Sequence, residues 1–465
     1  MRIQSFPFEP GCRHEDLWVH DITGDWFFKA LKNIIDRSFS GNKKKNRVDG
    51  ITLKKAKDIG KFVDGSENAI KLLYKDVGID AQYFINLLNE INDYLNDSLN
   101  KNFIPFYYFA LQEWLTYIHW VFDEEYKYRD HLFHSFYVAL IGDFLLKKYE
   151  LNGKSLYYDV ASKIEADVDK LIERLEKLKK EEPEKAAIFN TSFDRILDKV
   201  KDGKEKLFKT DEKNKHFVLL TWFIASMYHD IGFYIGTFKA QHDIFHSSMF
   251  DGWMDKIYTF PFCNKTNSCF GWLYNGTAEE ECNLLGRLFG VGSDLYHDYE
   301  GDLSVPFVLE YEVLKRTHPL WGFMELGNFF MDESSDGRSK ISYYLAARAI
   351  IKHHYSGKNG ERFEYSEDPL GFLLRLADQL QNASRFKLRK IDGIKHSIVF
   401  QKVFSKGSTK FDNSSPGTNK IEVHIGEDLN QEKKQEFLIF EEWMNSDNIF
   451  KVDVNFYDKD GKRLK

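Results

Sequence analysis

Up to about residue 390, apolar side chains return at every third or fourth position, as in IKLLYKDVGIDAQYFINLLNEINDYL over residues 70–95. That period predicts amphipathic helices. Only nine prolines interrupt the chain, so long helices are allowed. Residues 159–206 are charged and loosely heptad-like, broken at Pro183, which predicts either a solvated helical hairpin or an oligomerising coiled coil; the apolar repeat is too short-lived for the second. Over 236–305 the period fades and Gly, Asn and Asp increase, predicting an irregular surface insertion. After about residue 394 the pattern alternates instead: SIVFQKVF, a Ser/Gly/Pro-containing stretch, IEVHI, a helical segment near 430–446 and FKVDVNFYDKDGKRL. The expected fold class is therefore mainly α with a small C-terminal α+β module. The expected division is a helical N-terminal region over 1–100, a helical core over 101–392 carrying insertions at about 150–215 and 236–305, and the module over 393–465. The module reads equally as a ligand-sensing or dimerising appendage and as a lid on the core.

Composition supports a packed interior: 43% of residues are apolar, with 41 Phe, 24 Tyr and 9 Trp. A formal net charge of −7 disfavours a surface devoted to nucleic-acid backbone. Four cysteines, Cys12, Cys263, Cys269 and Cys282, form neither a CxxC pair nor a disulfide framework, which fits a reducing, cytoplasmic setting. The first residues, MRIQSFPFEPGCRHEDLW, lack the basic and apolar regions of a signal peptide. The apolar run FVLLTWFIASMY over 217–228 is too short to cross a bilayer, and the one over 103–123 is broken by Gln112, Glu113 and His119. No membrane partner is expected.

The run FVLLTWFIASMY ends directly on His229 and Asp230. Other polar groups sit in similar apolar surroundings: His134 in YRDHLFHSFYVALIG, His318 in KRTHPLWGFMEL, His353 and His354 in ARAIIKHHYSG, and Asp378 in LGFLLRLADQL. A single histidine of this kind is usually a hydrogen-bonded core residue. Asp378 asks for more, because an ionised carboxylate is costly to bury without a cation or several donors. Arg375 or Arg385 would satisfy it as an ordinary salt bridge; a divalent metal would explain all the buried polar groups together. Imidazoles and carboxylates with no thiolate nearby suit Mn, Fe, Ni, Mg or Zn at a catalytic rather than a structural site.

In chain order these residues read H, HD, H, HH, D, and in this they resemble the HD-domain metal-dependent phosphohydrolase superfamily over about residues 126–390. The resemblance implies a helical core holding one or two divalent ions. By position, His134, His229, Asp230 and Asp378 match the ligands of a first metal. His318, in THPLWG, and the pair His353 and His354 match those of a second, with Asp230 bridging the two. Adjacent side chains on a helix diverge by about 100°, so His229 and Asp230 converge only near a helix end, and Gly232 is read as supporting such a turn. Asp130, one turn before His134, matches an acidic ligand that some HD-GYP members use for a third metal, beside a plainer reading as a cap or a partner of Arg129 or Lys127; His131 is read as supporting His134.

The implied activity is hydrolysis, by metal-activated water, of a phosphoester or phosphodiester of a nucleotide or cyclic (di)nucleotide, with Asp230 also orienting the water. Lys352, Arg348 and Arg385, with Lys239 behind them, are the cations available for the substrate phosphate. Two alternatives stand beside it: an HD-type nuclease on single-stranded nucleic acid, kept in view by GNKKKNR at 41–47, and a non-catalytic nucleotide sensor. Two departures bear on substrate. Phe233 stands where HD-GYP phosphodiesterases and HD nucleases usually carry a lysine, and no GYP follows His354.

Overall fold

The computed structural model describes residues 131–151, 154–208, 211–233, 278–303, 311–353, 364–382, 408–412, 419–425, 429, 431–447, 450 and 452–465. The expectations for residues 1–130 and 234–277 lie outside them. Among the described residues the fold is mainly α, with a small α+β module at the C-terminal end. In order, the helices are α1 (His131–Lys148), α2 (Leu156–Glu181), a 3-10 turn (Pro183–Phe189), α3 (Phe193–Leu207), α4 (Asp211–Tyr228), α5 (Ala278–Phe289), α6 (Leu295–Leu303), α7 (Tyr311–Met331), α8 (Gly337–His353) and α9 (Pro369–Asn382). A two-residue hairpin, β1 (Glu150–Leu151) with β2 (Lys154–Ser155), joins α1 to α2.

Helix α8 is the axis of the bundle: it packs against α7, α3, α4 and α9, and nearly all of its residues are buried. Its start is set by Asp336, whose Oδ1 accepts from the Ser339 N–H at 2.8 Å as a side-chain cap. Two lysines, the buried Lys340 and the half-buried Lys199, secure the connection into it. Lys340 donates to the carbonyls of Phe330 and Asp332, and Lys199 of α3 to those of Glu333 and Ser335, satisfying acceptors at and beyond the end of α7. Gly203 of α3 lies so close to Gly337 that a Cβ there would fall 2.3 Å from the Gly337 carbonyl carbon.

The charged segment over 159–206 forms a helical hairpin, as its pattern predicts, but one of its faces is buried. Helix α2 buries Leu156, Val160, Ile164, Val168, Leu171, Leu175 and Leu178 along one face, each worth about 1.5–3 kcal/mol relative to exposure. Its lysines and glutamates occupy the opposite face, which explains the charged composition. Pro183 starts the 3-10 turn, Asn190 ends it in the left-handed region (φ 54°), and Ser192 caps α3. Residues 278–303, expected to be irregular, form α5 and α6 and bury Cys282, Leu284, Leu285, Leu288 and Phe289 against the bundle. The glycine and asparagine content of the wider segment concealed a short helical pattern.

The C-terminal module is a three-stranded sheet, β3 (Ser408–Asp412), β4 (Asn419–His424) and β5 (Val452–Tyr457), with α10 (Gln431–Ser446) between the last two strands. β3 pairs antiparallel with β4, and β4 parallel with β5, opposing Ile421 to Val454 and Val423 to Phe456. Those four alternate residues face Phe437, Phe440 and Met444 of α10 in a small apolar layer. The module is docked on the bundle. Phe450 stacks between Tyr149 and Tyr365, at 6.2 and 5.4 Å, and the Tyr365 N–H donates to Asp447 Oδ2 at 2.9 Å.

Candidate metal centre

Three helix crossings bring the polar groups together. Between α1 and α4, the Trp222 ring covers Gly142, where a Cβ would fall 1.7 Å from the indole, and Trp222 Nε1 donates to the Ala139 carbonyl at 2.9 Å. His134 and His229 lie about two turns from that crossing on their respective helices, and their ring centroids are 5.1 Å apart. Between α4 and α7, Gly232 abuts the backbone of His318: a Cβ at 232 would fall 1.8 Å from the His318 carbonyl oxygen. Gly232, just after the turn, is a close-approach glycine, and it is not among the positive-φ glycines. Between α7 and α8, the most extensive packing in the bundle sets His318 5.4 Å from His353.

Helix α4 ends at Tyr228, and His229 and Asp230 form a turn before one further helical turn, Ile231–Phe233. The turn lets both neighbouring side chains face inward. Asp230 lies at the centre of the cluster: its Oδ1 is 3.5 Å from His229 Nε2 and 3.5 Å from His318 Nε2, and its Oδ2 is 3.8 Å from His134 Nε2. Asp378 of α9 closes the group, its Oδ1 2.8 Å from His134 Nε2. Arg375, a candidate partner for Asp378 in the sequence, is bonded instead to the carbonyl of His353 at 2.8 Å. All six side chains, His134, His229, Asp230, His318, His353 and Asp378, are buried.

Backbone carbonyls select the imidazole tautomers. His229 Nδ1 lies 2.7 Å from the Ser226 carbonyl and His353 Nδ1 2.5 Å from that of Ile350, so each Nδ1 carries the proton and each Nε2 the lone pair. Burial holds both rings in the neutral form. The pKa of His229 is lowered by desolvation, and that of His353 is lowered to about 4 by desolvation and by the neighbouring His229. Asp378 behaves oppositely: burial opposes its ionisation, but the His134 hydrogen bond and charge, followed by His229 and His353, hold it well below the ordinary carboxylate range. The atoms of His134, His229 and Asp378, and those of His229, Asp230 and His353, converge within 4.8 Å in two groups able to hold a metal ion.

Two of the cations expected to face substrate, Arg348 and Lys352, form ion pairs with buried carboxylates. Arg348 is buried, its guanidinium 3.1 Å from Asp167 Oδ2 and 3.6 Å from Asp368 Oδ2, and it donates to the Tyr344 hydroxyl at 3.1 Å. Burial works against its charge, but Tyr344, Asp368 and Asp167 together raise its pKa. It ties α8 to α2 and to the start of α9. Lys352 lies 3.8 Å from Asp368 Oδ2, and Asp368 Oδ1 also caps α9 through the Gly371 N–H at 2.9 Å, ahead of Pro369 in the first helical position. Asp130, His354, Arg385 and Lys239 lie outside the described residues.

Two contributors escape a reading of ligands alone. Asp167, the buried partner of Arg348, is in phase with Ile164, Val168 and Leu171 on the apolar face of α2, so its position was a signal. The carbonyls of Ser226 and Ile350 leave no trace in side-chain pattern beyond lying three residues before a histidine. No protein-family model matches the chain, and no curated protein or solved structure matches it.

Proposed function

We propose that the chain is a metal-dependent phosphohydrolase of the HD-domain type, cleaving a phosphoester or phosphodiester of a nucleotide or cyclic (di)nucleotide with water as the nucleophile. One observation supports this most directly. The Nε2 lone pair of His229, fixed by the Nδ1 bond to Ser226, faces a carboxylate oxygen of Asp230 at 3.5 Å in a fully buried position, and His229 Nε2 makes no hydrogen bond among the described residues. Leaving such a nitrogen unsatisfied costs about 1–3 kcal/mol. A cation between the two acceptors removes that cost and turns a repulsive contact into a ligand pair. A proton serves poorly, because burial disfavours the imidazolium.

The donor set, four imidazoles and two carboxylates without a thiolate, suits Mn, Fe, Ni, Mg or Zn. His134, His229, Asp230 and Asp378 would hold one ion; His318 and His353, sharing Asp230, would hold a second. When bound, such ions supply Lewis acidity toward phosphate oxygens and lower the pKa of water. Asp230, central to the group, accepts a hydrogen bond from the attacking water and orients it. The Ser226 and Ile350 carbonyls keep His229 and His353 neutral and in register, and the apolar wall of α4, from Phe217 to Tyr228, keeps bulk water from these groups.

The test is metal analysis of the purified chain together with a turnover screen, in Mn or Mg, of bis(p-nitrophenyl) phosphate, mononucleotides, cyclic dinucleotides and single strands. Asp230→Ala is expected to abolish hydrolysis and reduce bound metal while leaving helical content unchanged. Full activity in that variant, or a wild-type chain that takes up no divalent ion, overturns the proposal. Preferential cleavage of single strands assigns a nuclease, and nucleotide binding without turnover in any metal assigns a sensor.

A further inference from the structure

The C-terminal module takes no part in the chemistry proposed above, yet it reaches the ligand cluster through Arg375. The Nη1 of Arg375 donates to the carbonyl of His353 at 2.8 Å. His353 is the last residue of α8, so its carbonyl is one of those a helix end leaves without an internal partner. The same guanidinium lies 5.8 Å from the centre of the Trp443 ring on α10, within the range of a cation–π contact. Trp443 is seated by Phe372 of α9 at 5.8 Å, and Phe372 by Phe450 at 5.6 Å, within the apolar junction that docks the module. Asp378 follows Arg375 by three residues on α9, on the same side of the helix.

A planar guanidinium donates from its edge and stacks through its face, so one side chain serves the His353 carbonyl and the Trp443 ring at once. A lysine supplies the charge without the second surface. The bond also falls at a sensitive place, since the end of α8 carries the imidazole of His353, whose tautomer depends on the Ile350 carbonyl one turn earlier.

We infer that Arg375 is a positioning residue for the candidate metal centre and that the C-terminal module, through Trp443, holds it in place. The inference rests on the metal-centre reading given above. It makes the module part of the unit that sets ligand geometry rather than a separable appendage. Groups that orient metal ligands typically change affinity about 10–100-fold when removed.

The experiment measures Mn(II) binding to the full chain by isothermal titration, with thermal denaturation in excess EDTA as a separate measure of folding. Arg375→Met and Trp443→Leu are expected to weaken Mn(II) binding at least about tenfold. Trp443→Phe, which keeps an aromatic face, is expected to stay within about threefold of wild type, and Arg375→Lys to fall between. A purely structural role would lower the melting temperature and leave the Mn(II) affinity of the folded protein unchanged. Wild-type affinity and stoichiometry in folded Trp443→Leu overturn the inference, and that variant decides the matter should Arg375→Met fail to fold. A wild-type chain that binds no Mn(II) overturns the metal-centre reading and this inference together; normal wild-type binding with unaffected variants overturns this inference alone.

Discussion

Phe233 lies parallel to the imidazole of His318, with ring centroids 4.2 Å apart and planes 19° from coplanar. Both side chains are buried, so the stack limits rotation of the His318 ring about its own axis. Phe233, three residues beyond Asp230, braces a candidate ligand and carries no charge. Phe233→Ala is expected to destabilise the chain by about 3–5 kcal/mol, as large aromatic deletions in a core do. It is also expected to weaken the second equivalent of Mn(II) about tenfold, whereas Phe233→Tyr keeps both equivalents. Titration of Mn(II) into each variant decides it; an unchanged second equivalent in Phe233→Ala removes the bracing role.

Gly232 and Gly322 make the crossing of α4 and α7 close enough for Asp230 and His318 to meet, but they tolerate a methyl group differently. A Cβ at 232 meets the His318 carbonyl oxygen at 1.8 Å and carbonyl carbon at 2.5 Å, both backbone atoms of a packed helix. At 322 the nearest atom is Ile350 Cγ2 at 3.1 Å, followed by the Tyr228 carbonyl at 3.3 Å. Gly232→Ala is expected to cost more than about 3 kcal/mol, and Gly322→Ala about 1 kcal/mol. Urea denaturation of the two variants tests the order, and equal costs would mean that the crossing is looser than it looks.

Much of this arrangement was legible because it repeats locally. The helical period before residue 390, including the hairpin at 159–206, and the alternation of β4 and β5 each follow from spacing within a few residues. The candidate ligands were legible for a different reason: each is a polar group in an apolar setting, and His134, His229, Asp230, His353 and Asp378 converge, with His318 beside Asp230. What sequence did not convey is partner choice across long separations. Arg348 and Asp167 are far apart in the chain, and nothing local shows that the arginine points at an acid on α2 rather than at solvent or substrate. Gly232 shows the same limit, since a glycine that permits a turn and one that admits a neighbouring backbone look identical until the neighbour is known.

Arg348 should therefore behave as a structural residue. Removing it leaves Asp167 and Asp368 buried without their guanidinium, a loss of about 3–5 kcal/mol for a broken buried pair. Arg348→Met is expected to lose that stability in chemical denaturation. Arg348→Lys, where folded, is expected to leave KM for a phosphodiester unchanged. A selective rise in KM at unaltered stability would return Arg348 to the phosphate.

Acid should weaken the fold in two stages. His229 and His353 are held neutral by burial, His353 to about 4, whereas an unfolded histidine takes up its proton near 6.5. Between those values the unfolded chain binds more protons than the native one, so stability falls as pH drops from about 6.5 toward 4, by about 3 kcal/mol for His353 alone. Asp378, held below the ordinary range, adds stability that is present above about 4 and lost on further acidification. Mn(II) at a hundredfold excess over its Kd adds about 2.7 kcal/mol, and because the imidazole ligands must be neutral, that increment should shrink as pH approaches the native value of His353. Melting temperatures from pH 8 to 4, with EDTA and with Mn(II), test both parts. A flat EDTA profile between pH 7 and 5 would contradict the burial of neutral histidines, and a pH-independent Mn(II) increment would contradict ligation through them.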